Sequence, residues 1–322
     1  MEPKIGRRRF LQGTASAASG LAAGFGSEEQ ILLAHLGQSA NDAPNPLATP
    51  MPRGAIKGVE ISRLICGGNL IGGWAHSRDL IYVSRLFKEY NTDAKILETL
   101  HLCEQYGVNS IITNPVSGDI INRFWAEGGK IQWISEVHPR HDDYKTTVQQ
   151  AVDGGATMAY LQGVVGDRLV ADNQFDLLAN TVHYIQECGL PAGVGAHALD
   201  VVIACEEADV NPDFYVKTLH PDDYWSARRP DQPEEVIRNP HDNFWCAHPE
   251  KTIACMKAVE KPWIAFKVLA AGAVPPRRGF KYAFENGADF ICVGMFDFQV
   301  ADDADIAIRV LSGLERERPW RG

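Results

Sequence analysis

The chain has 322 residues, 45% of them hydrophobic, and a formal net charge of −10. That length supports a substantial core and fits one barrel-sized domain. The acidic balance, with scattered basic residues, argues against nucleic acid or an anionic membrane surface as partner, and no apolar run is long enough for a stable membrane span.

The first 26 residues stand apart from the rest. Gly6-Arg7-Arg8-Arg9-Phe10-Leu11 precedes a weakly apolar, Ala/Gly/Ser-rich run to Gly26. Basic charge, motif and apolar run in that order resemble a twin-arginine export signal, which carries proteins out already folded. The resemblance implies the twin-arginine machinery as a partner of the precursor and a periplasmic or extracellular location. Residues 27–53 contain Asn41-Asp42-Ala43-Pro44-Asn45-Pro46 and Pro50-Met51-Pro52, and read as a linker. The folded domain is then expected over 54–322.

From Gly58 onward, apolar β-branched runs alternate with amphipathic stretches. The strands are expected at Leu64–Gly67, Ser110–Thr113, Ile131–Val137, Met158–Gly163, Ala192–Ala196, Phe214–Leu219, Trp263–Leu269 and Phe290–Gly294. Helical patterns fall at Asp93–Tyr106, Tyr144–Asp153, Asn173–Glu187, Val201–Glu207, Pro249–Val259, Arg277–Glu285 and Asp302–Leu314. Gly107, Gly189 and Gly287 stand where a helix should stop. Eight strands with helical connections predict a closed (β/α)₈ barrel, a TIM barrel in one domain; a doubly wound open sheet is the alternative. The seven cysteines contain no C-x-x-C pair and sit in apolar stretches, so they read as small buried hydrophobes.

In such barrels the chemistry sits where strands end and loops begin. Those positions carry Asn69, then Trp74 and His76 in a long loop, Asn114, Glu136 and His138, Gln162, His197, Lys217 and His220, a second long loop with Tyr224, Trp225, Arg228 and Trp245, and Lys267. Side chains alternate along a strand, so Glu136 and His138 share a face, His197 shares one with Gly193 and Gly195, and Lys217 shares one with Tyr215. Two lysines inside apolar strands are expected to serve a reactive centre or to neutralise buried carboxylates.

Residues Gly58 to about Asn114 resemble the aldo/keto reductase family. The resemblance is carried by Val59-Glu60-Ile61-Ser62-Arg63-Leu64-Ile65-Cys66-Gly67-Gly68-Asn69, by His76-Ser77-Arg78-Asp79, and by Tyr106-Gly107-Val108-Asn109-Ser110-Ile111-Ile112-Thr113. It implies the barrel fold and hydride transfer from NADPH to a carbonyl. The family's aspartate, tyrosine, lysine and histidine close the second, third and fourth strands. Those places here hold Asn114, no tyrosine over 115–124, Glu136 and Gln162. Later, Val216-Lys217-Thr218 and Phe266-Lys267, with Ala271-Gly272, resemble class I aldolases of the deoxyribose-phosphate type. That resemblance implies a Schiff base on Lys217, assisted by Lys267.

The expected function is an exported enzyme acting on a carbonyl-bearing, sugar-like small molecule as a lyase, isomerase or epimerase. Glu136, Lys217, Lys267 and His220 are the expected catalytic set. Asn69, Trp74, His76, Asn114, Gln162, Tyr224, Trp225 and Arg228 are expected to contact substrate. Glu136, His138, His197 and His220 are expected to hold a divalent metal such as Mn²⁺ or Zn²⁺, which would polarise a carbonyl. Without metal, Glu136 would pair with Lys217 or Lys267 and the histidines would meet substrate hydroxyls. An NADPH-dependent oxidoreductase and a non-catalytic sugar-binding barrel are the other readings.

Overall fold

A computed structural model describes residues 49–74, 80, 82–208, 210–231 and 246–322. The export-signal stretch, most of the expected linker, His76 and Trp245 lie outside the described residues.

Two short strands, β1 (Arg53–Ile56) and β2 (Val59–Ser62), form an antiparallel hairpin. Eight parallel strands follow: β3 (Leu64–Gly67), β4 (Ser110–Thr113), β5 (Gln132–Val137), β6 (Met158–Leu161), β7 (Ala192–Ala196), β8 (Phe214–Thr218), β9 (Trp263–Phe266) and β10 (Phe290–Val293). They close in the order β10-β3-β4-β5-β6-β7-β8-β9, so the barrel expectation holds and the open sheet is excluded. Closure leaves no unpaired strand edge.

Alternation divides the core in two. Ile65, Ile112, Ile134, Met158, Tyr160, Phe214, Val216, Ile264 and Phe290 fill the barrel interior. Ile56 and Ile61 of the hairpin join this inner cluster. The intervening residues, such as Leu64, Ile111, Val137, Leu161, Val194, Tyr215 and Ile291, pack outward against the helical layer.

The helices begin where the side chains allow. Thr92 caps the helix Asp93–Gln105 by accepting from Lys95 N–H, and proline opens both Pro249–Ala258 and Pro276–Glu285. Among the described residues, the hairpin and the helices Asn69–Gly72, Val83–Tyr90, Gly118–Ala126 and Gly163–Ala171 escaped the sequence reading. Five expected strands are shorter than predicted, two of them by more than one residue. The strand at Met158 stops at Leu161 because Gln162 caps the next helix, its Oε1 accepting from Val164 N–H and Val165 N–H. The strand at Trp263 stops at Phe266 because Lys267 turns to a φ of 58°.

Candidate active site

Glu136 stands on the inward face near the end of β5, directly opposite Tyr160 of β6. The Tyr160 hydroxyl donates to its Oε1 at 3.1 Å, and Asn114 Nδ2 approaches its Oε2 at 3.5 Å. Asn114 closes β4 and also contacts His138 Nε2 at 3.0 Å. His138 Nε2 lies 3.5 Å from Glu136 Oε2. Three adjacent strand ends thus gather one carboxylate, one phenol, one amide and one imidazole. The Glu136 side chain keeps 14% of its surface exposed, so it is sheltered without being sealed. Burial, and then the Glu136 charge, push the Tyr160 phenol well above its usual range, so it remains a proton-bearing donor. Cys292 of β10 borders the same carboxylate; burial, then Cys66 and Glu136, raise its thiol, which is a poor nucleophile as a result.

His197 follows β7 on the inward side, in phase with Gly193 and Gly195. Glycine at 195 is required by proximity: a Cβ there would stand 2.9 Å from Cε2 of Tyr160. Glycine at 163 does the same for the imidazole, since its Cβ would meet His197 Cε1 at 2.9 Å. Asp167, on the helix Gly163–Ala171 and 1% exposed, reaches back to this residue. Its Oδ2 lies 2.7 Å from His197 Nδ1, and its Oδ1 accepts from the N–H groups of His197 and Ala198, both at 2.9 Å. The ring packs against Phe266 of β9, centroids 5.1 Å apart. Asp167 was not anticipated; its signal was an acidic residue in an otherwise apolar helical run, Val164-Val165-Gly166-Asp167-Arg168-Leu169-Val170.

Lys217 differs from expectation. Register sets Ala196, Lys217 and Ala265 side by side on the outward face, and the inward face of β8 carries Phe214, Val216 and Thr218. The side chain is 1% exposed, and its Nζ donates to the carbonyl oxygens of His197 at 2.7 Å and Thr218 at 3.3 Å. An ammonium held this way is a clamp on the end of β7 rather than a Schiff-base nucleophile. Lys267 is not inside a strand. It begins the loop after β9 with its Nζ 5.7 Å from the Phe266 ring centroid. Ala270, Ala271 and Gly272 also take positive φ, so that loop is unusually rich in left-handed backbone.

His220 is a second correction. Its Nδ1 meets Pro221 O at 2.8 Å, and its Nε2 accepts from Cys246 N–H at 2.9 Å. Both nitrogens serve backbone groups, so the imidazole pins the two ends of the long excursion after β8. The expected metal set therefore falls apart: only Glu136 and His138 are neighbours, while His197 Nδ1 is engaged by Asp167. Among the described residues no group of three or more His, Cys, Asp or Glu is placed to hold a metal ion.

The remaining expected contacts divide as follows. Asn69 opens the short helix Asn69–Gly72 and its carbonyl accepts from Trp74 N–H. Trp74 lies partly exposed against Gly72. Gln162 is a helix cap. Tyr224 is an anchor, buried with Ala270 and Val274 and edge-on to His220. Trp225 next to it is 93% exposed. Arg228 donates to Arg229 O.

No family model and no curated protein matches the chain. Among solved structures it is similar to a Pseudomonas aeruginosa protein described as an aldo-keto reductase, with 15% identity and a TM-score of 0.55 over 80% of this chain and 95% of that one. It is also similar to Gox0644, solved in complex with NADPH, with 9% identity and a TM-score of 0.53 over 84% of this chain and 95% of that one. At such identities the likeness is one of fold: the chain shares the closed (β/α)₈ barrel of aldo-keto reductase structures.

Proposed function

We propose that the protein is an exported barrel enzyme that moves protons on a carbonyl-bearing, sugar-like small molecule, as an isomerase, epimerase or lyase. The observation that carries the reading is Glu136: a sheltered carboxylate at the inward end of β5, hydrogen-bonded by Tyr160, with Asn114 and His138 beside it. A carboxylate so placed is a general base, and the protonated phenol and the amide are donors for an oxygen that gains charge. The exposed Trp225 and partly exposed Trp74 supply flat faces of the kind that sugar rings use. The twin-arginine resemblance of residues 6–26 supports the exported location. The test is a panel of aldoses, ketoses and keto-acids incubated with the protein in heavy water. Deuterium should appear at a carbon next to the carbonyl, and Glu136→Gln should abolish its incorporation while ligand binding persists. Binding without exchange in the wild type would instead support a non-catalytic sugar-binding barrel.

A second reading, an NADPH-dependent oxidoreductase, is favoured by the fold shared with Gox0644. The mouth residues fit it poorly. Reductase chemistry of this family asks a tyrosine with a lysine beside it to give up its proton, whereas Tyr160 sits on a carboxylate that holds the proton in place. A fluorescence titration with NADPH separates the two: tight binding would shift the assignment to the oxidoreductase.

A further inference from the structure

Two buried charges at the barrel's C-terminal end converge on one residue. Asp167 and Lys217 are each 1% exposed and lie on different elements, one on the helix Gly163–Ala171 and one on β8. Asp167 takes the His197 N–H and ring Nδ1, and Lys217 takes the His197 carbonyl oxygen. Phe266 holds the ring from β9, and Gly163 makes the space it occupies. Burying a carboxylate and an ammonium is costly, and here both are directed at one residue. The hydrogen bond from Nδ1–H to Asp167 fixes the tautomer, so Nε2 is the basic nitrogen, and the adjacent carboxylate stabilises the imidazolium when Nε2 takes a proton.

Resting on the proposed function, we infer that His197 is the second proton-transfer group of the site, with Asp167 and Lys217 as its positioning residues, and that the substrate is an α-hydroxy carbonyl compound. Glu136 and His197 stand on β5 and β7, two strand spacings or roughly 10 Å apart along the wall. Tyr160 of β6 lies between them, bonded to Glu136 on one side and against Gly195 on the other. A short carbonyl compound spans that gap. Glu136 removes the proton from the carbon beside the carbonyl, and the C–H electron pair becomes the C=C bond of an enediol. The carbonyl oxygen gains charge as its π bond opens, held by the phenol and amide donors, and the imidazolium of His197 then protonates it. In the second half His197 takes the proton from the neighbouring hydroxyl, whose oxygen becomes the new carbonyl. Glu136 returns its proton to the other carbon. Atoms and electrons balance with no further reactant.

Two measurements on the full chain test this. The first needs no substrate. ¹⁵N-histidine NMR should find His197 as the Nδ1–H tautomer in the wild type, and its ring should take up a second proton as pH falls. Asp167→Asn should turn it to the Nε2–H tautomer, because the amide can donate to Nδ1. A His197 ring that does not titrate, or a tautomer unchanged in Asp167→Asn, overturns the inference even if the protein exchanges deuterium. The second uses whichever α-hydroxy carbonyl compound of the panel exchanges in heavy water. His197→Gln should retain deuterium exchange at the carbon within about threefold but lose at least a hundredfold in conversion to the isomer. Equal loss of exchange and conversion would mean that His197 only supports the fold. Absence of exchange in the wild type would remove the Glu136 reading, and the NMR result would then decide the His197 dyad by itself. If Asp167→Asn fails to fold, His197→Gln and the wild-type titration still decide the question.

Discussion

The end of the barrel opposite the candidate site offers the sharpest test of the packing argument. Asp289 opens onto β10 and is fully buried. Its Oδ2 accepts from Arg318 Nη1 at 2.6 Å and from Trp263 N–H at 2.9 Å, and its Oδ1 accepts from Arg321 N–H at 2.8 Å. Arg316 Nη2 lies 3.5 Å from the same Oδ1. Arg63 and Arg316 both lie over Trp320, 4.0 Å and 3.6 Å from its ring centroid. Burial lowers both guanidinium pKa values to about 10, and the Asp289 charge works against that fall. Asp289→Asn keeps the shape and removes the carboxylate that pairs with Arg316 and Arg318. Removing one partner of a buried ion pair costs roughly 3–5 kcal/mol. For a domain of this size that is a fall in Tm of roughly 6–20 °C. Thermal unfolding and urea titration of Asp289→Asn against wild type measure it directly. A loss below about 1 kcal/mol would refute the claim that this carboxylate holds the segment 315–322 against the barrel.

His220→Gln should destabilise by about 1–3 kcal/mol, because Cys246 N–H loses its acceptor and Pro221 O its donor, and proteolysis between 221 and 246 should quicken; unchanged stability together with lost metal content would restore the ligand reading. The Tyr90 phenol, partly desolvated and donating to Asp297, is raised to about 12. A folded pKa above the unfolded value of 10 means that its contribution is present below pH 10 and is lost as pH rises toward 12. Ultraviolet titration of the phenolates should show that late group, and Asp297→Asn should move it down. Replacing Arg7 and Arg8 by lysine should leave the chain in the cytoplasm on cell fractionation; unimpaired export would reject the signal reading.

The barrel was legible because each of its strands is a short, largely apolar run and several helices stop at glycine. Three strands were placed to the residue: Leu64–Gly67, Ser110–Thr113 and Ala192–Ala196. The helix Gly163–Ala171 was hidden by its two glycines, weak helix formers that read as the end of a strand. They stand there for close packing, since Gly166 leaves space beside Gly195 O and Gly163 beside the His197 ring. The hairpin was hidden by Pro50 and Pro52 just before it, which drew the linker reading up to residue 53.

The candidate site was half legible, and the missing half has one physical cause. Alternation correctly put Lys217 on the face of Tyr215, but alternation gives relative parity and not which face is inward. That depends on register against neighbouring strands, where the small outward residues Ala196 and Ala265 make room for a lysine stem. With Lys217 outward, the described residues place a buried ionic group at each end of the barrel, and their bonding differs. At the lower end Arg318 donates to the carbonyl oxygens of Met256, Gly287, Val259 and Lys261 as well as to Asp289, so that charge is consumed in tying chain segments together. At the upper end Asp167 and Lys217 meet on the backbone and ring of His197, beside a wall that already carries Glu136 and Tyr160. The first arrangement is what stability asks for, and the second is what fixing the orientation of one imidazole asks for. Equal stability losses in Asp289→Asn and Asp167→Asn would erase that distinction. A large loss in the first, with a small loss but a changed His197 tautomer in the second, would establish it.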